Sequence, residues 1–374
     1  MMSVRRFAGA AVALAVGLFP PSALVAQSAL RTPVTAFGGV DGRGLWLGDE
    51  SPVSSIQQIS VPLAILFPVG PVTVDIGTTW AETRIGLADQ PDRTFRDFTD
   101  TQVRATWVFG RDAFVATLMV NLPTGVDRLT EDDQLLLSTV SSSFLAFPVN
   151  SYGNGTSATA GLAWVTEAGP WNLGVALSGR FNSEYTPFVD RNGPFTFQPG
   201  VEGRLRVGAD RLLGSSRLAF GLTGSTFRND EFRTGGGVSG LFRPGSRLIA
   251  EASWTTLLGS NGLTIYAWDF YRAAGDSAGR AAANSENLFS TGGTLSIPIS
   301  PSLVLEPTTE FRLSSPEVGR SYLVSAGSAA RVRLGDRLAL VGSLRVEAGE
   351  LETVQRRRHS LRGWTASVIV RRAF

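Results

Sequence analysis

Arginine recurs at alternating positions along much of the chain, beside a smaller set of carboxylates. Arg104, Arg180, Arg204, Arg206, Arg217, Arg247, Arg312, Arg331, Arg333, Arg337 and Arg345 share faces with Asp75, Glu202, Glu251, Glu306, Glu310 and Glu347. The planar guanidinium fork pairs well with carboxylate or phenolate oxygens, so an arginine-rich face suits anionic ligands. The same residues suit a plainer task, a ladder in which most guanidinium groups neutralise acids on the next strand. Catalysis has less to work with. The chain has no Cys, which removes thiolate chemistry and thiolate metal sites. Its one histidine, His359, follows Arg356-Arg357-Arg358, and the adjacent Ser360 would point to the opposite side of an extended chain. That run reads as a solvated loop rather than a nucleophile and its base. No dense carboxylate loop suggests calcium. Neither an enzyme nor a cofactor is expected.

The elements carrying these residues have a period of two. Val72, Val74, Ile76 and Trp80 oppose Thr73, Asp75, Gly77 and Thr79; Val103, Ala105, Trp107 and Phe109 oppose Gln102, Arg104 and Thr106. The pattern returns at 114–122, 158–164, 171–177, 201–207, 218–223, 248–254, 303–312 and 338–347. Segments of roughly 10 residues with one apolar and one polar face fit strands of a membrane barrel or of a soluble sandwich. Connection lengths separate the two. Short turns at 68–71, 110–112, 167–169, 243–246, 299–301 and 334–336, with a longer one at 209–213, alternate with polar connections at 87–95, 124–155, 184–194, 273–287, 314–318 and 349–360. Tight periplasmic turns and long external loops produce that alternation, whereas a Greek-key sandwich does not require it. The expected fold is therefore all-β: a transmembrane antiparallel barrel of about 16 strands, within 14 to 18. Residues 36–47 supply a weak first strand, and 246–272 one long strand bulged near Gly259. The Arg and Glu rows then line the lumen. Trp80, Trp107, Trp164, Trp171, Trp254, Trp268 and Trp364 point outward as an interfacial girdle, with Trp46 as the exception.

The longest connection, 124–155, carries Glu131-Asp132-Asp133 and then Leu135, Leu136, Val140, Phe144, Leu145 and Phe147 near helical spacing. A loop of this length with its own apolar content is usually functional or folded back on its scaffold. Two placements stay open. Folded inward, Leu136, Val140, Phe144 and Phe147 form an apolar constriction; folded outward, they pack on neighbouring loops.

Both ends of the chain support export to a membrane. Arg5 and Arg6 precede an apolar run from Phe7 to Phe19 and a small-residue stretch ending at Ala26, so residues 1–26 read as a signal peptide and 27–374 as the barrel. Loss of Arg5 and Arg6 would leave 32 basic residues against 32 acidic ones, no basis for a nucleic-acid partner. At the other end Trp364, Ala366, Val368, Val370 and Phe374 form an apolar face interrupted by Arg372. The terminal Phe resembles the closing strand of bacterial outer-membrane β-barrels, and the resemblance implies recognition of Phe374 by the barrel-assembly machinery. Leu122-Pro123-Thr124-Gly125, opening the long loop, resembles the outer-membrane proteins of the phenol meta-cleavage pathway type. More distantly, the arrangement is similar to the hydrophobic-compound channels of the long-chain fatty-acid transporter group, although only Gln27 to about Thr35 precedes the first strand, too little for their plug. These resemblances imply passive uptake of small hydrophobic or aromatic compounds, anionic ones included. The alternative is a structural or surface-interaction barrel with a closed lumen. Expected partners are membrane lipid, lipopolysaccharide (met by the 356–359 loop) and the small-molecule substrate.

Overall fold

The computed structural model describes residues 34–48, 51–126, 129–191, 193–277, 280–315, 319–352 and 357–374. The expected signal peptide lies outside them. Strands β1 (Thr35–Leu47), β2 (Val53–Val69) and β3 (Val72–Leu87) are followed by β4 (Arg93–Phe98) and β5 (Thr101–Phe109), both paired to β3 and so forming one interrupted stave. Then come β6 (Phe114–Leu122), helix α1 (Glu131–Val140), β7 (Ser157–Ala168), β8 (Trp171–Asn182), β9 (Tyr185–Asp190) and β10 (Gly193–Gln198). β11 (Glu202–Leu213), β12 (Ser216–Phe227), β13 (Asp230–Arg233), β14 (Ser239–Phe242), β15 (Arg247–Leu258) and β16 (Asn261–Arg272) continue the chain. The last elements are β17 (Gly275–Ser277), β18 (Arg280–Ala283), β19 (Glu286–Ser300), β20 (Leu303–Ser314), β21 (Ser321–Arg333), β22 (Leu338–Glu352) and β23 (Arg358–Ala373).

Each stave pairs antiparallel with its predecessor, and β23 pairs with β1 from Thr35↔Ala373 to Leu47↔Leu361, closing a barrel of 16 strands. Closure removes every edge, so all backbone groups in the wall find partners without water. The outer face is apolar: Ile59, Leu118, Leu162, Leu177, Leu205, Leu344, Val346 and Val368 are each at least half exposed. Such a belt around a whole circumference is far larger than the few hundred Å² that a soluble surface tolerates. The inner face alternates with it and carries Gln58, Ser60, Thr83, Ser290 and Ser325, all buried. Among the described residues no helix is long and apolar enough to cross a membrane; the strands do the crossing.

Short turns occupy one rim. Gly70, Gly110, Gly169, Gly214, Gly259 and Gly335 sit in them with φ between 59° and 99°, a left-handed conformation that a Cβ would penalise. Two expectations change here. Residues 246–272 are not one strand but the hairpin β15–β16, turning at Gly259-Ser260. Arg243–Ser246 is not a short-rim turn; it ends the long connection 228–246 at the opposite rim. The two errors cancel, so the strand number and loop parity survive. Trp268 consequently faces inward, where it packs on the buried cluster, whereas Trp46 shares the outer face with Trp364.

The long-loop rim is built up. β9 and β10 join β13 and β14 in a four-stranded sheet, and β17 pairs with β18; the Arg243↔Asp276 bridge ties the two. The expected loop 349–360 is mostly strand. His359 lies in β23, buried at 4% and facing inward, rather than in a solvated loop.

Candidate functional site: a lumen divided by its own loop

The described residues of the connection 123–156 turn back into the barrel, and its attachment starts at Asp100, in the gap between β4 and β5. Asn121 donates to Asp100 Oδ2 at 2.8 Å, Gly125 N–H to Oδ1 at 3.1 Å and Asn154 N–H to Oδ2 at 2.8 Å. One carboxylate therefore grips both ends of the loop. Charge-assisted bonds of this kind are roughly twice as strong as neutral ones. Thr124 adds a hydroxyl contact to Thr101 at 2.7 Å. At Gly125 a Cβ would overlap the Tyr152 carbonyl, which gives the Leu-Pro-Thr-Gly segment a packing reason of its own.

Inside, α1 begins with a reciprocal cap between Thr130 and Asp133. Its inner face and the turn after it present Leu136 (1% exposed), Val140 (0%), Phe144 (3%) and Phe147 (5%). They pack with Leu145 against inward-facing Leu45, Ile56, Ile85, Leu288, Leu323 and Leu361, with Trp268 and Phe270 at the margin. Burying a side chain of this size contributes about 1.5–3 kcal/mol. The wall residues need the loop as much as the loop needs them.

Polar anchors fix the register of this plug. Gln58 donates to the Val149 carbonyl (2.7 Å) and accepts from Val149 N–H (2.8 Å), imitating a strand partner. Gln58 also donates to Thr83, whose hydroxyl meets the Tyr152 phenol at 2.8 Å; burial pushes that phenol up to about 12. Arg43 donates to the Ala146 carbonyl and to Glu347 (2.6 Å), and its guanidinium lies 5.5 Å above the Phe147 ring. Arg312 donates to the Phe144 carbonyl at 2.8 Å and to Glu310 at 2.8 Å. Ala146, at φ 48°, holds a left-handed conformation between these two clamps.

The structure puts Arg104, Arg180, Arg204, Arg206, Arg217, Arg247, Arg312, Arg331, Arg345, Glu251, Glu306, Glu310 and Glu347 on the inner face, by their register against Glu202, Ser290 and Ser325. Arg333 ends β21 at the short-turn rim, and Arg337 lies in the turn beyond it, off the strand where it was expected. Most of the row is paired: Arg104 with Asp75, Arg204 with Glu202, Arg206 with Glu251, Arg217 with Asp210, Arg331 with Glu306, and Arg312 and Arg345 with Glu310. Arg180, Arg247, Arg333 and Arg337 have no ion pair among the described residues. Asp210 and Glu286 also face inward, and so do Arg43 and Arg272, so these additions leave the arginine excess on the inner face unchanged. The loop anchors Arg43, Gln58, Thr83, Asp100 and Tyr152 were not singled out from sequence.

No family model matches the sequence, and no curated protein sequence matches it. Solved barrels resemble it at low identity. An anion-selective porin from Comamonas acidovorans is 14% identical, with 92% of this chain and 100% of that chain covered and a TM-score of 0.41. The TodX monoaromatic hydrocarbon channel, as a deltaS2 mutant, is 12% identical over 97% and 94%, with a TM-score of 0.44. OmpT, an outer membrane protein of Vibrio cholerae, is 8% identical over 91% and 97%, with a TM-score of 0.42. The chain's own closed circuit, apolar outer belt and polar inner face make it a β-barrel of the bacterial outer membrane.

Proposed function

We propose that the barrel is a passive channel for small hydrophobic or aromatic compounds, anionic ones included. The observation that carries this reading is the pairing of two surfaces in one lumen. A plug closed on the wall through Leu136, Val140, Phe144 and Phe147 narrows the bore, and solvent-accessible arginines line what is left open, with Arg204, Arg217 and Arg272 side chains 43%, 42% and 40% exposed. A solute passing there would cross a narrowed bore lined by fixed positive charge, which favours small anionic compounds over sugars or hydrated cations. Liposome uptake of aromatic acids, alkanes and sugars by the reconstituted protein tests it. Aromatic acids should enter faster than sugars of similar size; equal rates, or none, would remove the reading.

A second reading, a closed barrel whose external loops make the functional contacts, draws on the number of anchors holding the plug. Planar-bilayer conductance separates the two: discrete openings support the channel, and silence supports the closed barrel.

A further inference from the structure

The half of the outer wall that ends at the short turns is almost free of charge. Alternation turns every second strand residue toward lipid. Within the strands of that half, only Arg211 on β11 and Arg372 on β23 bring a charged side chain to this face among the described residues. Arg211 shares its direction with Leu205 and Val207, and Arg372 with Val368 and Val370, all exposed on the outside. A charge facing hydrocarbon is costly at mid-bilayer and tolerated near the interface, which both residues reach close to their strand ends.

Each sits on an aromatic ring of the girdle. The Arg211 guanidinium carbon lies 5.8 Å from the Trp171 ring centre, and that of Arg372 lies 4.9 Å from the Phe374 ring centre. Register sets Arg211 between Trp171 and Leu218, with Trp254 one strand further on. Neither guanidinium makes an ion pair among the described residues, and the buried Nε of Arg211 has no acceptor there. The opposite rim differs: outward-facing Arg84 holds Asp92 at 2.6 Å, and Arg358 holds Glu352 at 3.4 Å. On the short-turn side no strand acid faces outward to do the same; Asp112 and Asp336 lie in the turns instead.

We propose that Arg211 and Arg372 each seat the phosphodiester of an anionic phospholipid in the periplasmic leaflet. Short turns mark the periplasmic side, and head groups lie level with the aromatic girdle. A planar fork resting on a ring leaves its N–H edge for two phosphate oxygens, while the acyl chains lie along the apolar wall. With no outward strand carboxylate beside either fork to receive an ammonium, phosphatidylglycerol fits better than phosphatidylethanolamine. The proposal holds for an open and for a closed barrel alike, so it stands apart from the uptake reading.

Native mass spectrometry of the detergent-solubilised protein, titrated with phosphatidylglycerol or phosphatidylethanolamine of matched chains, tests it. Two phosphatidylglycerol molecules should be retained, each roughly fivefold more tightly than phosphatidylethanolamine, the preference that one arginine gives for an anionic lipid. Arg211→Gln and Arg372→Gln should each lose one of them, and the double variant both. Trp171→Leu should weaken only the lipid held by Arg211. Arg211→Lys, with the charge but not the fork, should fall between native and Arg211→Gln. Arg111→Gln, in a short turn, should retain both lipids. Equal affinity for the two lipids, or retention indifferent to both Gln substitutions, overturns the sites. So does lipid loss in Arg111→Gln, which would mean diffuse charge attraction. Displacement by inorganic phosphate at equal concentration would also overturn them, since the lipid would then be incidental. A heat-modifiability gel shows that each variant barrel is folded before its lipid count is read.

Discussion

The two sides of the inner wall use arginine for opposite purposes. Beside the plug, Arg43 and Arg312 have side chains only 7% and 13% exposed, and each gives one guanidinium nitrogen to a loop carbonyl and another to a carboxylate. On the far side, Arg204 and Arg217 are 43% and 42% exposed, each resting on a carboxylate that is itself buried. Buried arginines with backbone acceptors hold structure, because leaving either charge unpaired is costly. Half-exposed ones set the charge of an aqueous surface and contribute little to stability. Position on the inner face does not decide between these roles. The loop does, by covering one side and leaving the other wet.

Removing the loop should abolish the difference, and with it comes the largest effect. Deletion of 131–149 strips the cover from Arg43 and Arg312 and should raise single-channel conductance several-fold (the scale set by widening a constriction); unchanged conductance would mean the plug does not narrow the path. Next is Arg43→Met. It leaves Glu347, 5% exposed, with only the Thr365 hydroxyl as a side-chain donor among the described residues, and should cost about 3–5 kcal/mol. A heat-modifiability gel would register this as a clear drop in the unfolding midpoint. Smaller still is Asp100→Ala, which frees both ends of the plug and should cost about 1–3 kcal/mol. Limited proteolysis would cut near 125–154 sooner than in the native chain, and an unchanged pattern would show that Asp100 is not the clasp. The least change belongs to Arg331→Gln, whose side chain is 46% exposed: under about 1 kcal/mol, and less in high salt. An effect as large as that of Arg43→Met would collapse the distinction between covered and exposed arginines.

Much of the barrel was legible because most staves face lipid on one side and water or charge on the other. β11 shows it plainly, with Leu205 and Val207 between Glu202, Arg204 and Arg206. The reading failed where a stave faces apolar matter on both sides. β16 carries Ile265 and Ala267 toward lipid but Tyr266, Trp268 and Phe270 inward, two of them against the plug, so between Thr264 and Arg272 the inner face is an unbroken aromatic run. A two-residue turn at Gly259-Ser260 swaps which parity points out, and without a polar face the swap left no trace. β1 hid Arg43 for a different reason. Gly38, Gly39, Gly42 and Gly44 dilute its alternation, although Gly42 and Gly44 are required where the Trp364 ring lies flat on the backbone. Gln58, Thr83 and Asp100 act on loop groups between 25 and 91 residues away, a relation that local spacing does not encode.

The Arg43–Glu347 clamp bears on how the molecule matures. Its partners stand 304 residues apart, on the first stave and the one before the last, and they meet only across the seam that joins the two ends of the sheet. The plug therefore has no complete seat while that seam is open. Docking is expected to follow closure of the seam, and a label on Phe147 that became shielded from quencher before the barrel closed would overturn that order.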